Sequence, residues 1–281
     1  MSTPRRRPAS TWSSAGRKLG SASTVKKDWK ASLREQPLTS ETTFRHDLSF
    51  VPVSSIAGQY YCEVKVDHEY VRGEIPTEEK EVGTELHEEI LAMKRVRTDE
   101  LIEHIEKAPR VTASFLLHGD VEKLRIVGVP DAVIFEKGAP RWLIELKTTR
   151  GDTSKLWRDQ ALQVRLYGTL LETMGFDCSN LELVLARMRQ DEALEPDEKR
   201  KLLAEVMESL ARHATNEVEA RYGMKVFVFP YASAEAKGAV MWAQDYWLGN
   251  RKPIPTKNES KCRACEYRDW CPYSLYKPVK S

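Results

Sequence analysis

Apolar positions along the chain change their period near its middle. They recur every three or four residues in a segment starting at Ser54 and in another over about 78–97, which predicts two helices. Over 110–149 they form short β-branched runs, which predict strands. The runs are VTASFLL, KLRIVGV, DAVIF and RWLIELKTT, broken by HGD, Pro130 and KGAP.

Helical and strand patterns alternate through the rest of the chain. Helices are predicted at about 154–173, 196–214 and 233–248, and the segments LELVLARM and MKVFVFP predict two further strands. This order predicts an α/β fold with a mixed central sheet flanked by helices. We expect one domain over 41–281, with its two chain ends near each other.

Residues 1–40 lack this periodicity and are rich in Ser, Thr, Arg and Lys. Residues 1–34 hold nine Lys or Arg and one Asp, a net charge of +8, although the whole chain carries only +2. Such a segment cannot bury a core, so we expect a disordered basic tail over 1–40. The composition also fits an organelle transit peptide, but apolar residues are sparse for an amphipathic targeting helix.

The overall composition is that of a globular protein. The chain has 281 residues, 41% hydrophobic and 31% charged, which excludes collagen, coiled coil and wholesale disorder. It contains no apolar run of membrane-spanning length and no secretory signal, so we expect a soluble, cytoplasmic protein. Because the positive charge is concentrated in the tail, affinity for nucleic acid must come from local patches, the tail or metal ions.

The strand RWLIELKTT carries charged residues inside an apolar run. Side chains alternate along a strand, so Glu145 and Lys147 share a face with Leu143. Buried charges are costly unless they are paired or bind a metal. Asp131 follows Pro130 and is predicted to lie in a turn, from which two adjacent strands would bring it beside Glu145. Converging carboxylates repel unless a cation joins them, and such ligands suit Mg²⁺ or Mn²⁺.

Taken alone, the same residues are explained by a structural ion pair on an edge strand. Gln163 and Tyr167 extend the pattern, because a spacing of four places them on one face of the next helix. The full chain order resembles the motif series of RecB-type nucleases in the PD-(D/E)xK superfamily, over about residues 54–275. The matching residues are His87, Gly128–Pro130–Asp131, Glu145–Leu146–Lys147 and Gln163-x3-Tyr167.

This resemblance implies a restriction-endonuclease-like core and a metal-dependent deoxyribonuclease. The Mg²⁺ or Mn²⁺ ligands that it implies are His87, Asp131, Glu145 and the Leu146 carbonyl. The catalytic residues that it implies are Asp131, Glu145, Lys147, Gln163 and Tyr167. In these enzymes the lysine positions or activates the attacking water, and the glutamine and tyrosine orient the DNA strand.

The cysteines form a second candidate site. There are five, and an odd number without a secretory signal argues against a disulfide framework. Cys262, Cys265 and Cys271 have the spacing C-x2-C-x5-C, which suits an iron–sulfur cluster, or zinc if a fourth ligand exists. From the residues alone, that ligand is Cys62 or Cys178. Similarity to the iron–sulfur branch of RecB-type nucleases implies that Cys62 is the fourth ligand. It also implies a [4Fe–4S] cluster that ties the chain ends together, with 250–281 as the C-terminal cluster-binding segment.

In size and motif layout the chain is most similar to CRISPR-associated RecB-like exonucleases. This similarity implies an exonuclease that acts on single-stranded DNA ends in repair, recombination or CRISPR spacer acquisition. The partners that it implies are CRISPR adaptation proteins or a separate helicase, and no association with a membrane is expected. The chain has no G-x4-G-K-[ST] loop, so any helicase motor is a separate protein. The alternatives are a DNA-end-binding adaptor subunit with little cleavage and a zinc-stapled enzyme that acts on RNA.

Overall fold

The computed structural model describes residues 27–35, 43–75, 97–149, 151–189 and 196–277. Helices in these ranges are α1 (Trp29–Arg34), α2 (Val53–Arg72), α3 (Thr98–Lys107), α4 (Arg158–Thr173), α5 (Pro196–Ala211), α6 (Thr215–Tyr222), α7 (Ser233–Trp247) and α8 (Glu259–Arg263). Strands are β1 (Val51–Pro52), β2 (Arg110–Ala113), β3 (Leu117–Val121), β4 (Leu124–Gly128), β5 (Ala132–Glu136), β6 (Ala139–Thr149), β7 (Glu182–Arg189) and β8 (Lys225–Pro230). No helix within these ranges has the length and apolar character needed to cross a membrane.

The strands form two mixed sheets. The larger has the order β2-β5-β6-β7-β8, and the smaller has the order β1-β4-β3. In the larger sheet β6 and β7 are parallel, whereas the other neighbours are antiparallel. The chain crosses between the sheets more than once, because β2 of the larger sheet lies between β1 and β3 of the smaller one, and it enters the larger sheet again at β5. These mixed sheets, flanked by helices, fit the expected restriction-endonuclease-like fold.

Strand β6 separates two apolar clusters, and its side chains alternate between them as predicted. Leu143 joins the cluster that includes Leu162 and Leu166 of α4. The opposite face packs against α5 and α6 and carries Trp142, Ile144 and Leu146. Because alternate side chains of a strand share a face, Glu145 and Lys147 lie on the side of α4.

Two local predictions from the sequence are wrong. The segment HGD does not break a strand but lies inside β3, and the chain turns at Glu122, whose φ is 53°. The helix predicted from Ser54 extends to Arg72 and is interrupted at Cys62, a break that the apolar spacing does not indicate. The helix predicted over 196–214 is confirmed as α5, whereas α6, which begins at Thr215, has no counterpart among the predicted helices.

The predicted disordered tail is also wrong over α1, which packs on the core. The Trp29 ring stacks on Phe176 with ring centroids 5.0 Å apart, and Ser32 is fully buried. The carbonyl of Ser32 lies 3.1 Å from Nε2 of the buried His118. Residues 1–26 and 36–40 of the predicted tail lie outside the described residues, as do most of the helix predicted over 78–97 and its His87.

Candidate active site

The register of β5 and β6 brings Asp131 and Glu145 together. The strands are antiparallel with Ala132 opposite Ile144, so Asp131, one residue before β5, comes opposite Glu145. Asp131 Oδ2 accepts a hydrogen bond from the backbone N–H of Leu146 at 2.7 Å. The two carboxylate side chains are only 2% and 1% exposed. Two buried carboxylates of neighbouring strands therefore converge at one edge of the core.

Two side chains donate hydrogen bonds to the Glu145 carboxylate. Lys147 Nζ donates to Glu145 Oε1 at 2.8 Å, and Gln163 Nε2 donates to the same oxygen at 2.7 Å. Gln163 Nε2 also lies 3.2 Å from the Tyr167 hydroxyl, to which it donates. Since α4 packs on the Glu145 face of β6, the four-residue spacing directs both α4 side chains toward this carboxylate.

Burial and the carboxylates set the protonation of the site. Burial acts to lower the pKa of Lys147, but the carboxylates of Glu145 and Asp131 outweigh it, and the pKa lies above its ordinary value. The pKa of Tyr167 is raised, chiefly by burial and further by Glu145. Lys147 is therefore an ammonium ion beside Glu145, and Tyr167 keeps its hydroxyl proton.

The donor set fits a hard divalent cation. Carboxylate oxygens are the ligands preferred by Mg²⁺ and Mn²⁺, and Asp131 and Glu145 supply them from two rigid strands. His87, the third side chain implied by the resemblance, lies outside the described residues. Within the described ranges, no three His, Cys, Asp or Glu side chains form a group that could hold a metal ion. A full coordination shell therefore needs His87, backbone carbonyls or water.

Arg187 is a buried cation beside the site that the sequence reasoning missed. It lies on β7 directly opposite Lys147 in the parallel register and is only 1% exposed. Its Nη1 donates to the carbonyls of Asp152 and Lys155 and so fixes the loop between β6 and α4. Burial lowers the pKa of Arg187, and Asp152 and Asp159 oppose this. An arginine inside the apolar run LELVLARM is the sequence signal that could have identified it.

Four of the five cysteines line one small cavity. They are Cys62, Cys262, Cys265 and Cys271. Cys178 is buried elsewhere, near Glu172 and Asp177 at the end of α4. Burial raises the pKa of the Cys265 thiol to about 11, so a metal that binds there must displace a proton. These four cysteines thus lie around one cavity and Cys178 lies apart, but in the described ranges no three of them form a group that could hold a metal ion.

The interruption of α2 directs Cys62 toward the C-terminal segment. At Cys62 the backbone is extended, with φ −168° and ψ 118°, so helical hydrogen bonds to preceding carbonyls are not made. Lys261 Nζ donates to the carbonyls of Tyr60 and Tyr61 at 3.1 and 3.2 Å, in place of the helical hydrogen bonds that the interruption removes. The backbone N–H of Thr256 lies 3.4 Å from the Cys62 sulfur.

The paired carboxylates, the adjacent lysine and the Gln–Tyr helix on a mixed sheet are typical of metal-dependent nucleases. A family model described as the PD-(D/E)XK nuclease superfamily matches residues 61–272, which is most of the chain. The protein therefore belongs to the PD-(D/E)XK nuclease superfamily. Members of this superfamily are typically metal-dependent hydrolases of phosphodiester bonds, and a nuclease domain implies binding to DNA.

Solved structures add a distant likeness. Of the 14 matching chains, one is described as "Crystal structure of SSO0001", with a TM-score of 0.42 at 17% identity. The match covers 88% of this chain and 95% of that one. No curated protein matches the chain significantly.

Proposed function

We propose that this protein is a Mg²⁺- or Mn²⁺-dependent DNA exonuclease that prefers single-stranded ends. The observation that supports it is the convergence of Asp131 and Glu145, both almost fully buried, on the Lys147 ammonium. A divalent ion held by Asp131 and Glu145, with His87 and the Leu146 carbonyl, would supply an activated water and stabilise charge on the phosphate. Asp131, Glu145 and the other side chains of the site lie in one nuclease domain that we assign to residues 41–281.

The chain's own residues prepare the site. Lys147 and Gln163 both bind Glu145 Oε1, so the orientation of this carboxylate is set before substrate arrives. Lys147 adds positive charge where a scissile phosphate would lie, and its ammonium can position the attacking water. Tyr167, held by Gln163, keeps its proton and can donate a hydrogen bond to the DNA strand.

Digestion of end-labelled DNA tests this proposal. Full-length protein should shorten single-stranded DNA from an end when Mg²⁺ or Mn²⁺ is present, and should do so more slowly on the blunt duplex of the same sequence. EDTA should stop the reaction. Tight binding to DNA ends without shortening, with either metal, would contradict it and favour the adaptor function.

We also propose that Cys62, Cys262, Cys265 and Cys271 hold a [4Fe–4S] cluster. The shared cavity and the soft sulfur ligands support it, and the cluster would join α2 to the segment 250–281. Protein purified without oxygen should be brown and contain iron and sulfide. Replacing any of the four by Ser should remove the colour and most of the solubility, whereas Cys178→Ser should change neither. A colourless protein with stoichiometric zinc would contradict the cluster.

We assign the activity to DNA repair, recombination or CRISPR spacer acquisition in the cytoplasm. CRISPR adaptation proteins or a separate helicase would then be partners. The support is the motif layout, because the catalytic series and the cysteine set occur in one chain without a nucleotide-binding loop. Co-purification of the tagged protein from its own cells tests this assignment. Recovery without any helicase or CRISPR adaptation protein would contradict it.

A further inference from the structure

A groove between α2, α4 and α7 combines aromatic rings with cationic side chains. Its volume is about 740 Å³, which is within the usual range of ligand sites, about 300–1,000 Å³. We call it the Trp242 groove and define it by six of its lining residues: Tyr60, Tyr61, Arg158, Arg165, Trp242 and Lys261.

The aromatic part of the groove is a supported, open platform. The Trp242 side chain is 40% exposed, and its ring lies 4.9 Å from that of Tyr60. The Tyr60 hydroxyl donates to the carbonyl of Ala239 at 3.1 Å, which fixes the ring. The Arg251 guanidinium lies 4.8 Å from the Trp242 ring centroid. The indole is thus held by Tyr60 and Arg251, and its exposed part is accessible to another flat ring.

Two of the three cations that define the groove, Arg158 and Lys261, are available to an anion. Arg158 is exposed, its guanidinium lies 4.6 Å from the Tyr60 ring, and in the described part of the chain it pairs with no acidic side chain. Lys261 Nζ donates to two backbone carbonyls, lies 4.8 Å from the Tyr61 ring and, among the described residues, forms no ion pair. Arg165 is neutralised by Glu235 at 2.7 Å. The groove is therefore locally positive, although residues 35–281 carry a net charge of −6.

One end of the groove is near the active site. Arg158 is the first residue of α4, the same helix that carries Gln163. Asp159, the next residue, interacts electrostatically with Tyr61 of the groove and with Lys147 of the active site. The groove therefore borders the helix whose Gln163 binds the catalytic Glu145 carboxylate.

We infer that the Trp242 groove binds a single strand of DNA, with a base stacked on Trp242 and phosphates near Arg158 and Lys261. This inference rests on the proposed nuclease function, and it names the surface that holds the substrate strand. Aromatic platforms beside cations bind single strands because unpaired bases expose their ring faces. A duplex keeps its bases stacked on each other and cannot use Trp242 in this way.

Binding of a fluorescent single-stranded oligonucleotide to full-length protein, without divalent cation, tests the groove. Trp242→Ala should raise Kd about tenfold, or about 1.4 kcal/mol, as expected for the loss of one stacked base. Trp242→Phe should restore most of the affinity, because a ring remains. Arg158→Ala should weaken binding and reduce the slope of log K against log salt by about 0.7.

Matched controls separate the groove from general effects. Met241→Ala changes the exposed neighbour of Trp242 on α7, and Arg212→Ala removes an exposed cation outside the groove; both should bind like the wild type. Unchanged Kd in both Trp242→Ala and Arg158→Ala would overturn the inference. So would a duplex that binds as tightly as the single strand and is weakened equally by Trp242→Ala.

The same variants separate this inference from the proposed function. In cleavage assays Trp242→Ala should raise KM with kcat nearly unchanged, because the groove binds DNA away from the reacting phosphate. Wild-type protein that binds the strand through Trp242 but never cuts it would refute the nuclease function and leave the groove standing. Normal cleavage, with KM and Kd unaffected by both groove substitutions, would refute the groove and leave the nuclease function standing.

Discussion

At the scale of single residues, Glu145 occupies a buried position where packing alone would not favour a carboxylate. It is 1% exposed, its carboxylate lies next to that of Asp131, and Lys147 and Gln163 both donate to one of its oxygens. A core of ordinary packing would place an apolar residue there, as it does at Leu143. The charge is retained at a cost, which is typical of a site whose chemistry requires it.

Glu145→Gln should lower kcat/KM at least about 100-fold while the fold and metal-free DNA binding remain. Glutamine keeps the shape of the side chain and one acceptor oxygen for Lys147, but it is a poor ligand for Mg²⁺. Lys147→Ala should have a similar effect on cleavage. Cleavage kinetics and strand binding measure these effects. Glu136→Gln, at a partly exposed ion pair with Arg110, is the matched control. Near wild-type cleavage by both active-site variants would exclude this site.

Cys178 should be inert in the native protein. Burial raises the pKa of its thiol to about 12, assisted by Glu172 and Asp177, so the reactive thiolate is scarce near neutrality. Iodoacetamide should therefore label Cys178 much more slowly in native than in urea-unfolded protein, as measured by peptide mass spectrometry. Equal labelling rates in the two states would show that Cys178 is accessible and ionised.

At the scale of elements, a buried carboxylate of the interrupted helix α2 binds an arginine of the C-terminal segment. Glu63, next to Cys62 and 1% exposed, accepts hydrogen bonds from both terminal nitrogens of Arg251. It also accepts from the Ile254 backbone N–H and from Gln59 Nε2, each at 2.8 Å. The Glu63 carboxylate raises the pKa of Arg251 by accepting these bonds. This anchor positions the segment that leads into the cysteines.

Arg251→Met should destabilise the fold by about 3 kcal/mol, because it leaves the Glu63 carboxylate buried without its cation. Equilibrium unfolding in urea measures the change, and the visible colour should disappear at lower urea as well. Arg263→Met is the control, since Arg263 and Glu259 form an exposed pair, with 66% and 58% of their side chains accessible. That control should shift stability by less than about 0.5 kcal/mol. Equal shifts in the two variants would contradict the anchor.

Helix α1 should contribute to stability although it is short. Its approach to the core requires glycine at Gly175, where φ is +97° and a Cβ would lie 2.1 Å from the Lys27 carbonyl oxygen. Trp29→Ala removes the stack on Phe176 and should cost about 2 kcal/mol, less than for a fully buried Trp. Thermal unfolding checks this, with deletion of residues 1–26 as the control that should leave Tm unchanged. A Tm unaffected by Trp29→Ala would mean that α1 is not docked in solution.

At the scale of the whole molecule, charge is divided between the two parts of the chain. Residues 1–26 contain six Lys or Arg and no acidic residue, whereas residues 35–281 carry −6. A cationic segment beside an acidic body can contact phosphates without reading bases. The Trp242 groove is a local positive surface on a body whose net negative charge otherwise repels DNA.

Deletion of residues 1–26 should weaken DNA binding at low salt and flatten its salt dependence. Each DNA phosphate that the segment no longer neutralises changes the slope of log K against log salt by about 0.7 for single strands. Cleavage on saturating substrate should be nearly unchanged, because none of the proposed catalytic residues lies in this segment. Binding titrations at several salt concentrations measure the slope for both proteins. Identical slopes would leave this segment without a role on DNA.

Local pattern alone predicted much of the fold and part of the site. Alternation in β6 correctly separated Glu145 and Lys147 from Ile144, and α4, β7, β8 and α7 lie within a few residues of their predicted bounds. These features depend on side-chain periods of two residues in strands and 3.6 in helices, which can be recognised from residues close together in the chain. The same periodicity could not identify α1, since six residues are too few for a period to show.

Only the tertiary structure decided which distant residues meet. The pairing of Asp131 with Glu145 depends on the β5–β6 register, and the approach of Cys62 to Cys262 depends on the interruption of α2. Arg187 lies beside the site only because β7 pairs with β6. Periodicity tells which face of an element is buried, but not which element covers it. That choice is made by long-range packing and by hydrogen bonds that join residues far apart in the chain.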